Sequence, residues 1–222
     1  MKQMKLLCST IILLCFFQQI YSQTINFNNL KKVDRHIATI HTGLDYGLVL
    51  GAGYGYQLKS RMPIVLNSEI SVPFGEKRFD DFKSKLGGQI RLFKINKFHF
   101  SAKAQAIFRQ NENDFVRLQN FGAEVSGTVG FYKRRWFAAL EAGFDKAIVT
   151  HLKHTNMYKQ MYPAVKDGWY EPATGGNYNY GFLGGYSFKN SDLFFKAGLL
   201  ATQNFEKPQF PFYAQLGYTI KL

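Results

Sequence analysis

Residues 37–58 read IATIHTGLDYGLVLGAGYGYQL. Positions Ala38, Ile40, Thr42, Leu44, Tyr46, Leu48, Leu50, Ala52, Tyr54, Tyr56 and Leu58 are almost all apolar. The positions between them, among them Thr39, His41, Gly43, Asp45, Gly51, Gly53 and Gln57, are small or polar. Successive side chains of a strand point to opposite faces, so a period of two means one greasy face and one polar face. The stretch is extended chain with two unlike faces. It bends tightly near Asp45-Tyr46-Gly47, which makes two strands of it.

The same alternation returns to the end of the chain. Phe98, Phe100, Ala102, Ala104 and Ala106 oppose His99, Ser101, Lys103 and Gln105. Trp136, Ala138, Leu140, Ala142 and Phe144 oppose Glu141 and Asp145. Phe212, Ala214, Leu216, Tyr218, Ile220 and Leu222 oppose Gln215, Thr219 and Lys221. Connections alternate as well. Short ones fall near 59–62, 94–97, 133–135 and 189–192, and longer ones near 75–84, 109–118, 148–176 and 204–210. Short turns on one side and longer loops on the other mark a transmembrane antiparallel up-and-down β-barrel. Counting back from the C-terminus predicts ten strands over 37–222, with both termini on the short-turn, periplasmic side; without the bend at 45–47 the count falls to eight.

The first residues read as a secretory signal: Lys2 and Lys5, then the apolar Leu6 to Phe17, then Ile20-Tyr21-Ser22 before a cut at Gln23. The expected organisation is a cleaved signal peptide at 1–22, an N-terminal periplasmic segment at 23–36 and the barrel at 37–222. The apolar run is too short to cross a bilayer as a helix. Both cysteines, Cys8 and Cys15, lie inside the signal, which leaves the mature chain without disulfide or thiol chemistry. Of the net charge of +13, Lys2 and Lys5 account for two, leaving +11. For an exported chain this excludes nucleic acid and points to lipid phosphates or an acidic partner. Aromatics make up 17% of the chain, and a membrane interface is a natural sink for them. A soluble barrel has the same alternation with its apolar face inward. Against it stand the signal, the Tyr, Trp and Phe near strand ends, and charges of both signs on the polar face.

With these features the chain resembles the small outer-membrane β-barrel families typified by the transmembrane domain of outer membrane protein A and similar porin-like barrels. The resemblance covers 37–222 and rests on the signal, the dyad repeat and the last strand. There Tyr218, Ile220 and Leu222 keep the alternation, although the final residue is Leu rather than an aromatic. It implies residence in the outer membrane of a Gram-negative cell.

Three groups of residues are candidates for function. Glu69, Arg91, Lys103, Glu124, Glu141 and Lys196 fall on the polar face of separate strands. They suit either an ion path or a paired network that plugs a narrow lumen, and the network is preferred because Phe137, Leu183, Phe194 and Tyr213 share their parity. Met157, Tyr158, Met161, Tyr162, Trp169 and Tyr170 lie in the 148–176 loop and suit a lid or a recognition patch. Lys59, Arg61, Lys97, Lys133, Arg134 and Arg135 sit at short turns and form a cationic rim for headgroups or a docking partner. His151 and His154 have no neighbouring thiol or carboxylate to complete a metal site, no cofactor is implied, and no motif marks a serine nucleophile near His36, His41 or His99. The expectation is a non-enzymatic outer-membrane barrel with a structural or binding role and a narrow, largely closed lumen. The alternatives are an accessory subunit of a larger outer-membrane secretion, assembly or uptake complex, and a narrow channel for small solutes. The expected partners are outer-membrane lipids and, under the first alternative, such a complex.

Overall fold

The computed structural model describes residues 25–45, 47–74, 80–171, 176–206, 208 and 211–222, so the expected signal at 1–22 lies outside the described residues. The alternating run 37–58 divides as expected into β1 (His36–Leu44) and β2 (Leu48–Gln57). There follow β3 (Ile64–Pro73), β4 (Phe82–Ile95), β5 (Phe98–Glu112), β6 (Val116–Tyr132) and β7 (Trp136–His154). After a short helix α1 (Asn156–Met161) come β8 (Gly168–Tyr170), β9 (Gly176–Ser187), β10 (Ser191–Thr202) and β11 (Phe212–Lys221). Each strand pairs antiparallel with its neighbour, β7 continues to β9, and β11 pairs with β1. The result is a closed barrel of ten strands, with β8 added along the upper part of β7.

Register carries the sequence pattern around the barrel. Ile40 pairs with Ala52 and with Tyr218, and Ala52 pairs with Ile70, so like meets like across each ladder. A slip of one residue would send every apolar side chain to the other face. The apolar face is the outer one: Leu66, Leu86, Val125, Leu140 and Leu216 are exposed, while Thr39, Asn67, Gln105, Glu124 and Glu141 are buried inside. This corrects the alternative of a barrel with its greasy face inward.

Two loop expectations are also corrected. The 109–118 connection is a tight hairpin, because β5 runs to Glu112 and β6 starts at Val116; the Asn113 side chain accepts from the N–H groups of Phe115 and Val116. The 148–176 connection is shorter than expected, because β7 continues to His154. In both places polar residues occupy both faces and the alternation fades, yet backbone pairing continues past it. Strand pairing needs a partner ladder and not an apolar face.

At the end that carries the short turns, the terminal end, residues 25–35 fold across the mouth. Ile25 and Phe27 pack with Ile37 and Val65 in a small apolar cluster. The amides of Asn26, Asn28 and Asn29 donate to the carbonyls of Lys133, Tyr132 and Phe188. The segment expected only as periplasmic chain is thus a plug built on the barrel's own turns. Just inside it, Tyr132, Phe137, Leu183 and Phe194 form a second cluster. Two of their rings lie over glycines of nearby strands: a Cβ on Gly217 would sit 2.3 Å from the Phe194 ring, and one on Gly185 would sit 2.4 Å from the Phe137 ring.

Candidate functional site: the lumen charge network and the two rims

Inward parity puts charge from separate strands into one confined space. Lys85 on β4 donates to Glu124 on β6 at 2.5 Å, and Lys103 on β5 lies 3.3 Å from the same carboxylate. Lys196 on β10 pairs with Glu141 on β7. Towards the loop end, Lys83 pairs with Asp45, and Arg109 meets Asp145 at 2.5 Å. His41 reaches across Gly51 of β2 towards Glu69 on β3, at 3.9 Å. Every one of these pairs but Lys103–Glu124 skips at least one strand, so the side chains reach into the lumen over the strand between them.

Five of the six residues expected in the lumen are therefore brought into pairs: Glu69, Lys103, Glu124, Glu141 and Lys196. Arg91 takes part in no ion pair among the described residues. It lies beside the β-bulge that shifts the register of β4 against β5 between Arg91 and Phe93, near the terminal end. Sequence reasoning left out Lys85, Lys83, Asp45, Arg109 and Asp145 as members of the network. Their signal was parity within each run, Lys83 and Lys85 with Arg91, Arg109 with Lys103, Asp145 with Glu141 and Asp45 with His41; which of them would meet depended on how far each side chain reaches into the barrel. Lys221 and Asp192, 2.6 Å apart and fully buried, form a further pair below the plug, where Asn29 also donates to Asp192.

Chemically, such a network neutralises its own charges. Burying a carboxylate without a partner is costly, and here each one has a cation within reach. Below Glu141 and Lys103, Ile25 of the plug closes a small polar cleft with Gln89, Thr128, Tyr132 and Leu183. The described residues contain no cluster of three or more metal-ligating side chains. His151 and His154 sit three apart on β7, and residues three apart on a strand face opposite sides. His151 instead packs its ring against Trp169, while His154 stacks on Tyr158 and contacts Asp167.

At the loop end, α1 begins at the N-cap Thr155, whose hydroxyl accepts from Tyr158 N–H. The Met157 and Met161 side chains, with Tyr162, Trp169 and Tyr170, are exposed, while Tyr158 packs against Phe115, His154 and Tyr162. A triad of contacts from Asp167 holds the loop: Lys159 Nζ at 2.5 Å, His154 N–H at 2.9 Å and His154 Nδ1 at 3.1 Å. The Lys159 ammonium first, and then the His154 N–H, hold the Asp167 carboxyl well below the usual carboxylate range.

On the outer surface, aromatic rings gather in two bands. One runs through Phe82, Phe108, Phe121, Trp169 and His151 near the loop end. The other runs through Phe98, Phe131 and Trp136 near the terminal end, with Lys133 over the last two rings. The expected basic rim residues Lys59, Arg61, Lys97, Lys133, Arg134 and Arg135 all lie in or beside the turns at that end.

No protein-family model matches the chain, and a search of the curated proteins finds no match either.

Proposed function

We propose that the protein is an integral outer-membrane β-barrel of a Gram-negative cell, non-enzymatic, with a closed lumen and a structural or binding role. The observation that carries this is the spacing of the two aromatic bands. Phe98 and Phe108 lie ten residues apart on β5, as do Phe121 and Phe131 on β6. At ~3.3 Å per residue this is about 33 Å along the strand. At a typical barrel tilt of ~40° it becomes about 25 Å along the axis, the height of the apolar band between aromatic girdles in such barrels. The outward Leu, Val and Phe side chains between the bands, in contact with water, would form an apolar surface far larger than soluble proteins tolerate. The resemblance to the outer membrane protein A type belongs to the same proposal, as do the cleaved signal and periplasmic termini.

The paired charges and the plug favour a closed lumen over a solute channel. The exposed Met, Tyr and Trp side chains of the 155–171 loop are then the surface available for binding outside the cell.

The test is gel mobility of membrane-extracted protein with and without boiling, on fractionated cells. A heat-dependent shift in the outer-membrane fraction is expected. A soluble protein with a single mobility would overturn the proposal.

A further inference from the structure

Seen down the barrel axis, the terminal end is a cationic disc with a centre. The plug touches three of the four short turns and the end of β2. Gln57, its amide nitrogen turned inward, donates to the carbonyls of Lys31 and Asp34 at 3.0 and 2.7 Å. Lys94 donates to Asn28 at 3.0 Å, Asn26 to the Lys133 carbonyl at 3.2 Å, and Lys31 to Asn190 at 3.1 Å. The Lys31–Asp34 turn is held between Gln57 of β2 and Asn190 of the β9–β10 turn, on either side of β1 and β11, so Lys31, Lys32 and Val33 stand inside that part of the wall.

All three side chains are exposed, Val33 at 76%. Around them the turns add Lys59, Arg61, Lys94, Lys97, Lys133, Arg134, Arg135 and Lys189. The only acidic side chains described at this end are Asp34 and Asp192, and both are buried. Asp34 accepts from the Lys31 N–H, and Asp192 is paired with Lys221.

We infer that this end docks an acidic segment of a soluble protein, with Lys31, Lys32 and Val33 at the centre of the contact. The inference rests on the membrane reading in one respect: a bilayer meets only the circumference of a barrel. Lys133, seated over the outward rings of Phe131 and Trp136, is placed for lipid phosphates. Lys31, whose ammonium bonds to Asn190, and Lys32 stand inside the wall, set back from the headgroups. Lipid anchoring therefore accounts for the outer cations and leaves the central pair, and the bare Val33 beside it, without a role. An acidic partner supplies complementary charge for the whole disc, and an apolar side chain of that partner covers Val33.

The probe is a fluorescent oligoglutamate peptide, titrated against the barrel in nanodiscs of uncharged phosphatidylcholine. Binding at low salt is expected, weakening as salt screens the charges. Lys31→Glu with Lys32→Glu should weaken it by about tenfold or more, since close opposite charges across an interface become like charges. Lys97→Glu with Lys133→Glu, on the circumference, should weaken it less, while reducing adhesion to phosphatidylglycerol vesicles. No binding, or equal loss from both pairs, overturns the central contact. If only the circumferential pair matters, and only with anionic vesicles, the surface serves lipid alone and the inference fails. If the protein does not enter nanodiscs, the membrane reading is what fails, and the same titration in buffer decides the docking by itself.

Discussion

Glu124 shows at the residue scale what the lumen asks of each charge. It is 5% exposed and faces both Lys85 and Lys103. Glu124→Gln leaves two ammonium groups confined together with no acid between them, which should cost about 3–5 kcal/mol. Denaturant unfolding of the detergent-solubilised barrel measures it. Adding Lys85→Met to Glu124→Gln should recover part of the loss, and full additivity would show that the pair is not coupled. The glycines beneath lumen rings make a second case. A methyl on Gly217 would meet the Phe194 ring at 2.3 Å and the Ile40 carbonyl oxygen at 2.5 Å, and the backbone oxygen cannot turn aside. Gly217→Ala should therefore destabilise by about 1–3 kcal/mol, read as a lower temperature for the loss of heat-resistant mobility.

Two elements outside the barrel wall, the α1–β8 loop and the plug, are held by few but specific contacts. The loop depends on Asp167, whose carboxyl is held below its ordinary range by Lys159 and His154. A depressed pKa means a tether that is complete above the unfolded value of about 4 and lost only as pH falls through the lower folded value. Wild-type protein should keep residues 155–171 protected from proteolysis at pH ~4, whereas Asp167→Asn should be nicked there even at neutral pH. Equal cutting of both proteins would rule out the tether. In the plug, Asn26, Asn28 and Asn29 each donate to a carbonyl of a turn. Replacing the three with Ala removes bonds worth about 1 kcal/mol each, so residues 25–35 should exchange amide hydrogens faster while the strands do not change.

For the whole molecule the question is whether anything passes through. The lumen holds the Lys85–Glu124–Lys103 and Lys196–Glu141 groups and is capped by the plug. Purified protein in a planar bilayer should give no discrete conductance steps. Removing residues 25–35 alone should not create them, because the ion pairs remain behind the plug. Steps from the wild type would establish a channel and displace the closed-barrel reading.

The alternation in residues 37–58 and its recurrences determined strand identity and the division of side chains into two faces, and favoured ten strands over eight. These come from local geometry, because a side chain's face depends only on its position along its own strand; closure of the barrel decided which face is inward. The same parity marked Glu69, Lys103, Glu124, Glu141 and Lys196 as neighbours in one lumen. It also included Arg91, which stands by a bulge that no periodicity announces. Only tertiary structure decided that Lys85 shares Glu124 with Lys103, that β5, β6 and β7 extend past their apolar stretch, and that residues 25–35 close the mouth. Each of these depends on groups far apart in the chain and near in space: reach across a curved wall, a ladder supplied by a neighbour, and three turns and the end of β2 gathered around a mouth that a polar Asn-rich segment can bridge.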